Sequence, residues 1–115
     1  LVPTTLFDGS PVYRPGEEYR AHFDFLTEDG ALASADLARR GQRIATSLVK
    51  LNAEHEGGAT RFARLDIAWN GGRGDALSFD NVDAEGRGDK RTLHAGEPVV
   101  AGMKVLASLW LRERP

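Results

Sequence analysis

Two histidines, one aspartate and one lysine are the residues whose types and spacing point to chemistry. His22 and Asp24 stand two apart in residues 19–26 (YRAHFDFL), where large rings alternate with small or polar residues. That period of two predicts a strand with Tyr19, Ala21, Phe23 and Phe25 on one face and Arg20, His22, Asp24 and Leu26 on the other. His22 and Asp24 then project together, close enough to share one ion. Alone, a His-x-Asp pair also reads as a surface polar pair. His94, in the last third of the chain and followed by Ala95-Gly96, supplies a second imidazole. Two imidazoles and one carboxylate form a donor set suited to non-haem Fe(II), with three coordination positions left open. Lys104 opens the last strand, where Lys104, Leu106, Ser108 and Trp110 share a face by alternation. Facing solvent, Lys104 would guard a sheet edge. Pointing into a barrel mouth it requires an anion, such as a diacid. Its spacing from His94 favours the second reading.

The elements that must position these residues are short and punctuated by turns. Asp8-Gly9-Ser10-Pro11 and Arg14-Pro15-Gly16 are turn signals. Residues 27–40 predict a loop carrying a short helix with Ser34 as its N-cap. Strands are expected over 42–51, 59–62, 65–69, 76–82, 92–94 and 103–112, with a polar loop over 52–58. Gly71-Gly72-Arg73-Gly74-Asp75 forms a tight turn and 83–90 a charged loop. Pro98, Ala101 and Gly102 mark the turn before the last strand. Closely spaced strands with turns between them predict a mainly β fold, a sandwich or barrel with minor helix.

The chain has 115 residues, 15 Lys+Arg against 17 Asp+Glu, no Cys and 41% apolar residues. The length predicts a single domain over residues 1–115, and the opening Leu1-Val2-Pro3 without an initiator Met suggests a piece of a longer chain. Nearly balanced charge argues against a nucleic-acid or membrane binder. No run approaches the roughly 18–20 apolar residues of a membrane span, and no signal peptide is visible, so the cytoplasm is the expected compartment. The absence of cysteine excludes thiol nucleophiles and thiolate metal sites. Ser47, Ser78 and Ser108 lie mid-strand without the glycines of a nucleophile elbow, which argues against a hydrolase.

Several segments carry a family resemblance. They are Tyr13-Arg14-Pro15-Gly16-Glu17-Glu18-Tyr19-Arg20-Ala21-His22-Phe23-Asp24, Gly41-Gln42-Arg43-Ile44-Ala45-Thr46, Glu56-Gly57-Gly58-Ala59-Thr60-Arg61-Phe62, Leu93-His94-Ala95-Gly96-Glu97-Pro98-Val99 and Gly102-Met103-Lys104. In order and spacing they resemble the catalytic domain of the prolyl 4-hydroxylase-like 2-oxoglutarate and Fe(II)-dependent dioxygenases. The resemblance implies a double-stranded β-helix, or jelly roll, with one short helix or helical loop, and bracing helices and a strand expected ahead of Tyr13. It implies Fe(II) ligation by His22, Asp24 and His94. Lys104 would pair with the distal carboxylate of 2-oxoglutarate, with Thr60 hydrogen-bonding to it. Tyr13 would line the cosubstrate pocket through its hydroxyl, and Trp110 would wall the cavity near the substrate; these two are the expected catalytic side chains. The implied reaction uses O2 to convert 2-oxoglutarate to succinate and hydroxylates a peptide or protein substrate, proline being the leading target, with ascorbate as reductant. A free amino acid is a weaker alternative for the substrate. A jelly-roll binding module that keeps the metal site without catalysis is the alternative function.

The chain departs from the family pattern at Lys50, where Tyr is usual, at Ala63, where Pro is usual, and at Asp80 and Val105, where Trp is usual. If Lys50 and Asp80 both face inward they could pair. His55 is read as a solvated loop histidine, Arg43 as a buried ion-pair partner, and Trp69 and Phe79 as core.

Overall fold

The longest strands form where β-branched and apolar residues alternate with small polar ones. The computed structural model describes residues 4–5, 11–27 and 31–114. In chain order its strands are β1 (Thr4–Thr5), β2 (Pro11–Tyr13), β3 (Tyr19–His22), β4 (Arg43–Lys50), β5 (His55–Gly57), β6 (Thr60–Phe62), β7 (Ile67–Trp69), β8 (Ala76–Asp80), β9 (His94–Gly96), β10 (Val99–Gly102) and β11 (Lys104–Arg112), with one helix, α1 (Ala31–Arg40). They form a five-stranded sheet, β1-β2-β11-β4-β8, a four-stranded sheet, β3-β9-β6-β7, and a β10-β5 pair. All the strand pairings are antiparallel. The two larger sheets face each other: the rings of Phe62 on β6 and Phe79 on β8 meet edge to face at 5.0 Å. This is the jelly-roll architecture expected, and among the described residues no helix is long and apolar enough to cross a membrane.

The β4–β11 pair is the spine of the larger sheet, with Leu106 opposite Lys50, Ser108 opposite Leu48 and Trp110 opposite Thr46. Thr46, Leu48 and Lys50 are buried at alternate positions of β4, as are Lys104 and Leu106 on β11. These inward residues therefore line one continuous face. Tyr13, Val99 and Leu106 pack as a buried cluster beneath it.

Helix α1 begins at Ala31, so Ser34 lies inside the helix and is not its N-cap. Gly41, at φ +75°, ends the helix in the left-handed conformation that a side chain would strain. Arg114 donates to the Leu37 and Ala38 carbonyls, and Arg112 to Asp36 and the Gly41 carbonyl, docking the helix end on the last strand.

Several expected boundaries move. β3 stops at His22 instead of running to residue 26, and Tyr19 and Ala21 are exposed, so the expected ring face is not a core face. Phe23 and Phe25 stack on each other at 4.6 Å after the strand has ended. The expected strand 92–94 is instead a 3₁₀ turn, Lys90–Thr92, capped by Asp89, followed by β9. The polar loop 52–58 contains β5, and the expected turn around Ala101 and Gly102 belongs to β10; these two strands pair with each other. The Asp8-Gly9-Ser10-Pro11 turn falls largely outside the described residues.

Leu106 is 5% exposed and Leu109, on the opposite face of the same strand, is 62% exposed. Leu106→Ala is expected to lower unfolding free energy by about 3 kcal/mol, and Leu109→Ala by less than about 0.5 kcal/mol, in urea denaturation.

Candidate metal centre

The backbone brings the two imidazoles together. β3 and β9 pair with His22 directly opposite His94, and the ring centroids lie 4.4 Å apart. Asp24 reaches the same point by a bend that follows the end of β3, not by strand alternation. Its Oδ1 lies 3.3 Å from His22 Nε2 and 3.6 Å from His94 Nε2. One ligand atom from each of the three residues falls within 4.8 Å of the others.

The ring orientations are fixed from behind. His22 Nδ1 donates to the Arg20 carbonyl at 2.8 Å, and His94 Nδ1 donates to the Thr92 carbonyl at 2.7 Å. A carbonyl can only accept, so in each neutral ring the proton sits on Nδ1 and the Nε2 lone pair faces inward. Two nitrogen lone pairs and a carboxylate oxygen then converge on one point. Such a cluster is satisfied only by positive charge, as protons or as a metal cation, and its nitrogen and oxygen donors suit Fe(II). The residues present therefore fit the metal that the resemblance implies.

Asp24 is held by a buried chain of donors. Asn81 Nδ2 donates to Thr46 Oγ1 at 2.8 Å, and Thr46 Oγ1 donates to Asp24 Oδ2, also at 2.8 Å. Trp110 Nε1 adds a longer bond to the same oxygen at 3.3 Å. Oδ2 is thus occupied and Oδ1 is left facing the histidines. Burial pushes the Asp24 carboxyl up, but the hydrogen bond from Thr46 and, with the rings protonated on Nε2, a hydrogen bond from His22 and the charges of both histidines outweigh it, holding it at about 2; a cation at that point acts in the same direction. Burial lowers His94, which keeps its ring a neutral ligand. Phe62 and Phe79 flank His94 at 5.2 and 5.1 Å, so Phe79 is a wall of the site as well as core.

Lys104 lies deeper in the same barrel. It is 2% exposed, and its Nζ stands 5.0 Å from the centre of the Tyr13 ring, its cross-strand partner. Tyr13 thus presents its ring to the ammonium, and burial pushes its hydroxyl up to about 12. A Cβ on Gly96 would lie 3.8 Å from Lys104 Nζ, and one on Gly58 would lie 3.1 Å from Lys104 Cδ. Two glycines therefore make room for this side chain. Thr60, also buried, stands opposite Gly96. Among the described residues no carboxylate makes an ion pair with Lys104. Burial, aided by the charge of Lys50, pulls Lys104 down to about 8.

Sequence reading missed the roles of Thr46 and Asn81, although both are polar residues inside strongly apolar strand patterns. It left Lys50 open: the side chain is buried, while Asp80 is exposed on β8, so the two do not pair. Val105 alternates to the other face from Lys104. His55 is not a solvated loop residue; it sits on β5 with Nε2 in a short hydrogen bond to Lys50 Nζ. Arg43 makes no ion pair among the described residues, and its guanidinium lies 4.2 Å over the Trp110 ring.

Residues 10–112 match the family described as the 2OG-Fe(II) oxygenase superfamily. The chain is 38% identical over 102 residues to prolyl 4-hydroxylase subunit alpha-2 of Caenorhabditis elegans, covering 89% of this chain and 19% of that protein. It is also 38% identical over 102 residues to prolyl 4-hydroxylase subunit alpha-1 of Homo sapiens, with the same coverage of 89% and 19%. The chain thus spans about a fifth of the length of these relatives. A crystal structure of viral collagen prolyl hydroxylase from Paramecium Bursaria Chlorella virus-1, in its 2OG complex, superposes with a TM-score of 0.74 at 34% identity, covering 90% of this chain and 56% of that one.

Two outcomes are expected from this geometry. In Mn(II) titrations, Thr46→Val should weaken binding about 10- to 100-fold by cutting the donor chain behind Asp24, and His94→Ala should abolish it. The second concerns pH. Lys104 titrates near 8 when folded, against an ordinary 10.5. Between those values the unfolded chain binds more protons, so this group makes stability rise with pH across that window. Urea midpoints at pH 8 and pH 10 should show a smaller gain in Lys104→Met than in the native protein.

Proposed function

The chain belongs to the 2OG-Fe(II) oxygenase superfamily, and on that premise we propose that it is a 2-oxoglutarate- and Fe(II)-dependent dioxygenase that hydroxylates a peptidyl side chain. Proline is the target that the names of its relatives support. The observation that carries the reading is one arrangement: two Nε2 lone pairs and one carboxylate oxygen at a common point, with a buried ammonium behind them that has no ion-pair partner among the described residues.

His22, Asp24 and His94 hold Fe(II), which supplies the O2 chemistry that couples conversion of 2-oxoglutarate to succinate and CO2 with hydroxylation of the substrate. The protein's own residues bind, orient and enclose. Lys104 gives its charge to the distal carboxylate of 2-oxoglutarate, with Thr60 beside it on the neighbouring sheet. Gly96 stands two residues from His94 on β9, about 6–7 Å along the strand, and marks the depth at which Lys104 Nζ lies. That depth suits a short diacid whose keto-acid end reaches the histidines. Tyr13 forms a wall beneath the ammonium. Phe62 and Phe79 exclude water around His94. Trp110 does two things: it donates to Asp24, and its half-exposed ring forms the rim that a substrate would meet. The loop over 83–90 runs directly into the 3₁₀ turn before His94, and that adjacency supports reading it as part of the rim. Ascorbate serves as the reductant that keeps the metal ferrous.

The test is turnover. Supplied with Fe(II), 2-oxoglutarate, ascorbate, O2 and a proline-rich peptide, the chain should release succinate and add one oxygen mass to the peptide in equal amounts, and His94→Ala should do neither. Metal binding without succinate release from the native chain would contradict the reading.

A further inference from the structure

Asp24 reaches the metal point on a segment that belongs to no strand, so something other than a sheet ladder must hold it. β3 ends at His22, and residues 23–27 follow as a bend and open chain. The carboxylate end of Asp24 is tied by Thr46 and Trp110. Its backbone is tied two residues further on, at Leu26, by the side chain of Gln42. Leu26 N–H donates to Gln42 Oε1 at 2.5 Å, and Gln42 Nε2 donates to the Leu26 carbonyl at 2.9 Å. Among the described residues, 24–26 make no other backbone hydrogen bond.

A primary amide suits this task because it offers an acceptor and a donor on one planar group, as the backbone of a neighbouring strand does. Its orientation is settled by its partners. Oε1 also accepts from the Arg43 N–H at 2.9 Å, so its two lone pairs meet two donors while the NH2 meets a carbonyl. Gln42 is itself held from the end of β11. Its N–H donates to Glu113 Oε1 at 2.6 Å, and the Glu113 N–H donates to its carbonyl at 3.1 Å. A Cβ on the preceding Gly41 would fall 2.5 Å from Glu113 Cβ, so glycine is what lets the two segments come this close. Packing adds a second hold on the same segment: Phe25 lies against Gly88, where a Cβ would stand 2.7 Å from the ring. Ring packing limits how near the segment comes, and the paired hydrogen bonds fix its direction.

We propose that Gln42 is a positioning residue for the metal ligand Asp24: its amide stands in for a partner strand at Leu26 and so sets the bend that aims Oδ1 at the two histidines. This rests on the reading of His22, Asp24 and His94 as a metal centre and is independent of which cosubstrate or substrate is used. Gln42 acts through the backbone of 24–26, not by contact with the metal.

The experiment measures metal binding rather than turnover. Co(II) is titrated into the native chain, Gln42→Met, Asp24→Ala and the double variant, and binding is read from the visible d–d absorption. Gln42→Met keeps the side-chain length and removes both hydrogen bonds, and it should weaken Co(II) about tenfold. In the Asp24→Ala background, where two imidazoles alone hold the metal, the same change should alter affinity by less than about twofold. Gln42→Glu keeps the bond from the Leu26 N–H and loses the one to the Leu26 carbonyl; its loss should show the same dependence on Asp24, and it carries the comparison if Gln42→Met does not fold. Unchanged Co(II) affinity in both Gln42 variants would overturn the proposal and leave the metal site intact. Equal losses with and without the Asp24 carboxylate would assign Gln42 a general structural role and overturn it too. If Asp24→Ala binds too weakly to titrate, the d–d band of Gln42→Met at saturating Co(II) decides: a shifted band is expected, and one identical to the native band would overturn the proposal. A native chain that binds no Co(II) would remove the metal site itself, and the proposal with it.

Discussion

One carboxylate sets the terms for the rest of the structure. Asp24 is buried, and a buried carboxylate is tolerable only when its oxygens are satisfied. One oxygen is satisfied by Thr46 and Trp110, and the other is turned toward two imidazoles. That division of labour has structural costs. β3 must stop at His22 so that the chain can bend Asp24 inward. The central β4–β11 pair must present Thr46 and Trp110 opposite each other, as its register does. Asn81 must follow β8 closely enough to fix the hydroxyl of Thr46. The donor chain thus ties the first strand of one sheet to three elements of the other.

Charge is then separated along the barrel. The end bearing Asp24 suits a cation, and the deeper end bearing Lys104, buried without an ion-pair partner among the described residues, suits an anion. Each end alone is a liability in a small β fold whose buried apolar residues are few. Together they suit a metal and a diacid that bridges from it to the Lys104 ammonium. Between the two ends lie Leu48 and Leu106, both buried and apolar, with Ser108 opposite Leu48. On the proposed function, the ligands of the reaction would also relieve the buried charges, so binding would stabilise the fold.

Much of this was legible from residue order because the relevant spacing is short and local. His22 and Asp24 two apart, His94 before a small-residue pair, and Lys104 at the start of an alternating strand need only a strand's periodicity to be read together. What periodicity alone could not show was how Asp24 arrives, since it implied a longer strand where the structure has a bend. β5 and β10 escaped because three- and four-residue strands rich in glycine and charge exist only through pairing with each other, which is a tertiary fact. The turn at Lys90–Thr92 escaped because its Asp89 cap outweighs the strand preference of Thr92. Lys50 was legible as a charge on a barrel strand, but its partner was not: His55, in a polar stretch, looks solvated until the fold sets it against Lys50.

The central claim is that the triad and Lys104 form one compartment able to hold a metal and a diacid at once. Anaerobic addition of 2-oxoglutarate to the Fe(II)-loaded chain, followed in the visible spectrum, tests it most directly, since chelation of the keto acid by the iron gives a charge-transfer band. A saturable band that needs both components, and that 2-oxobutyrate produces only at higher concentration, is expected. No band at saturating iron and cosubstrate would contradict the account.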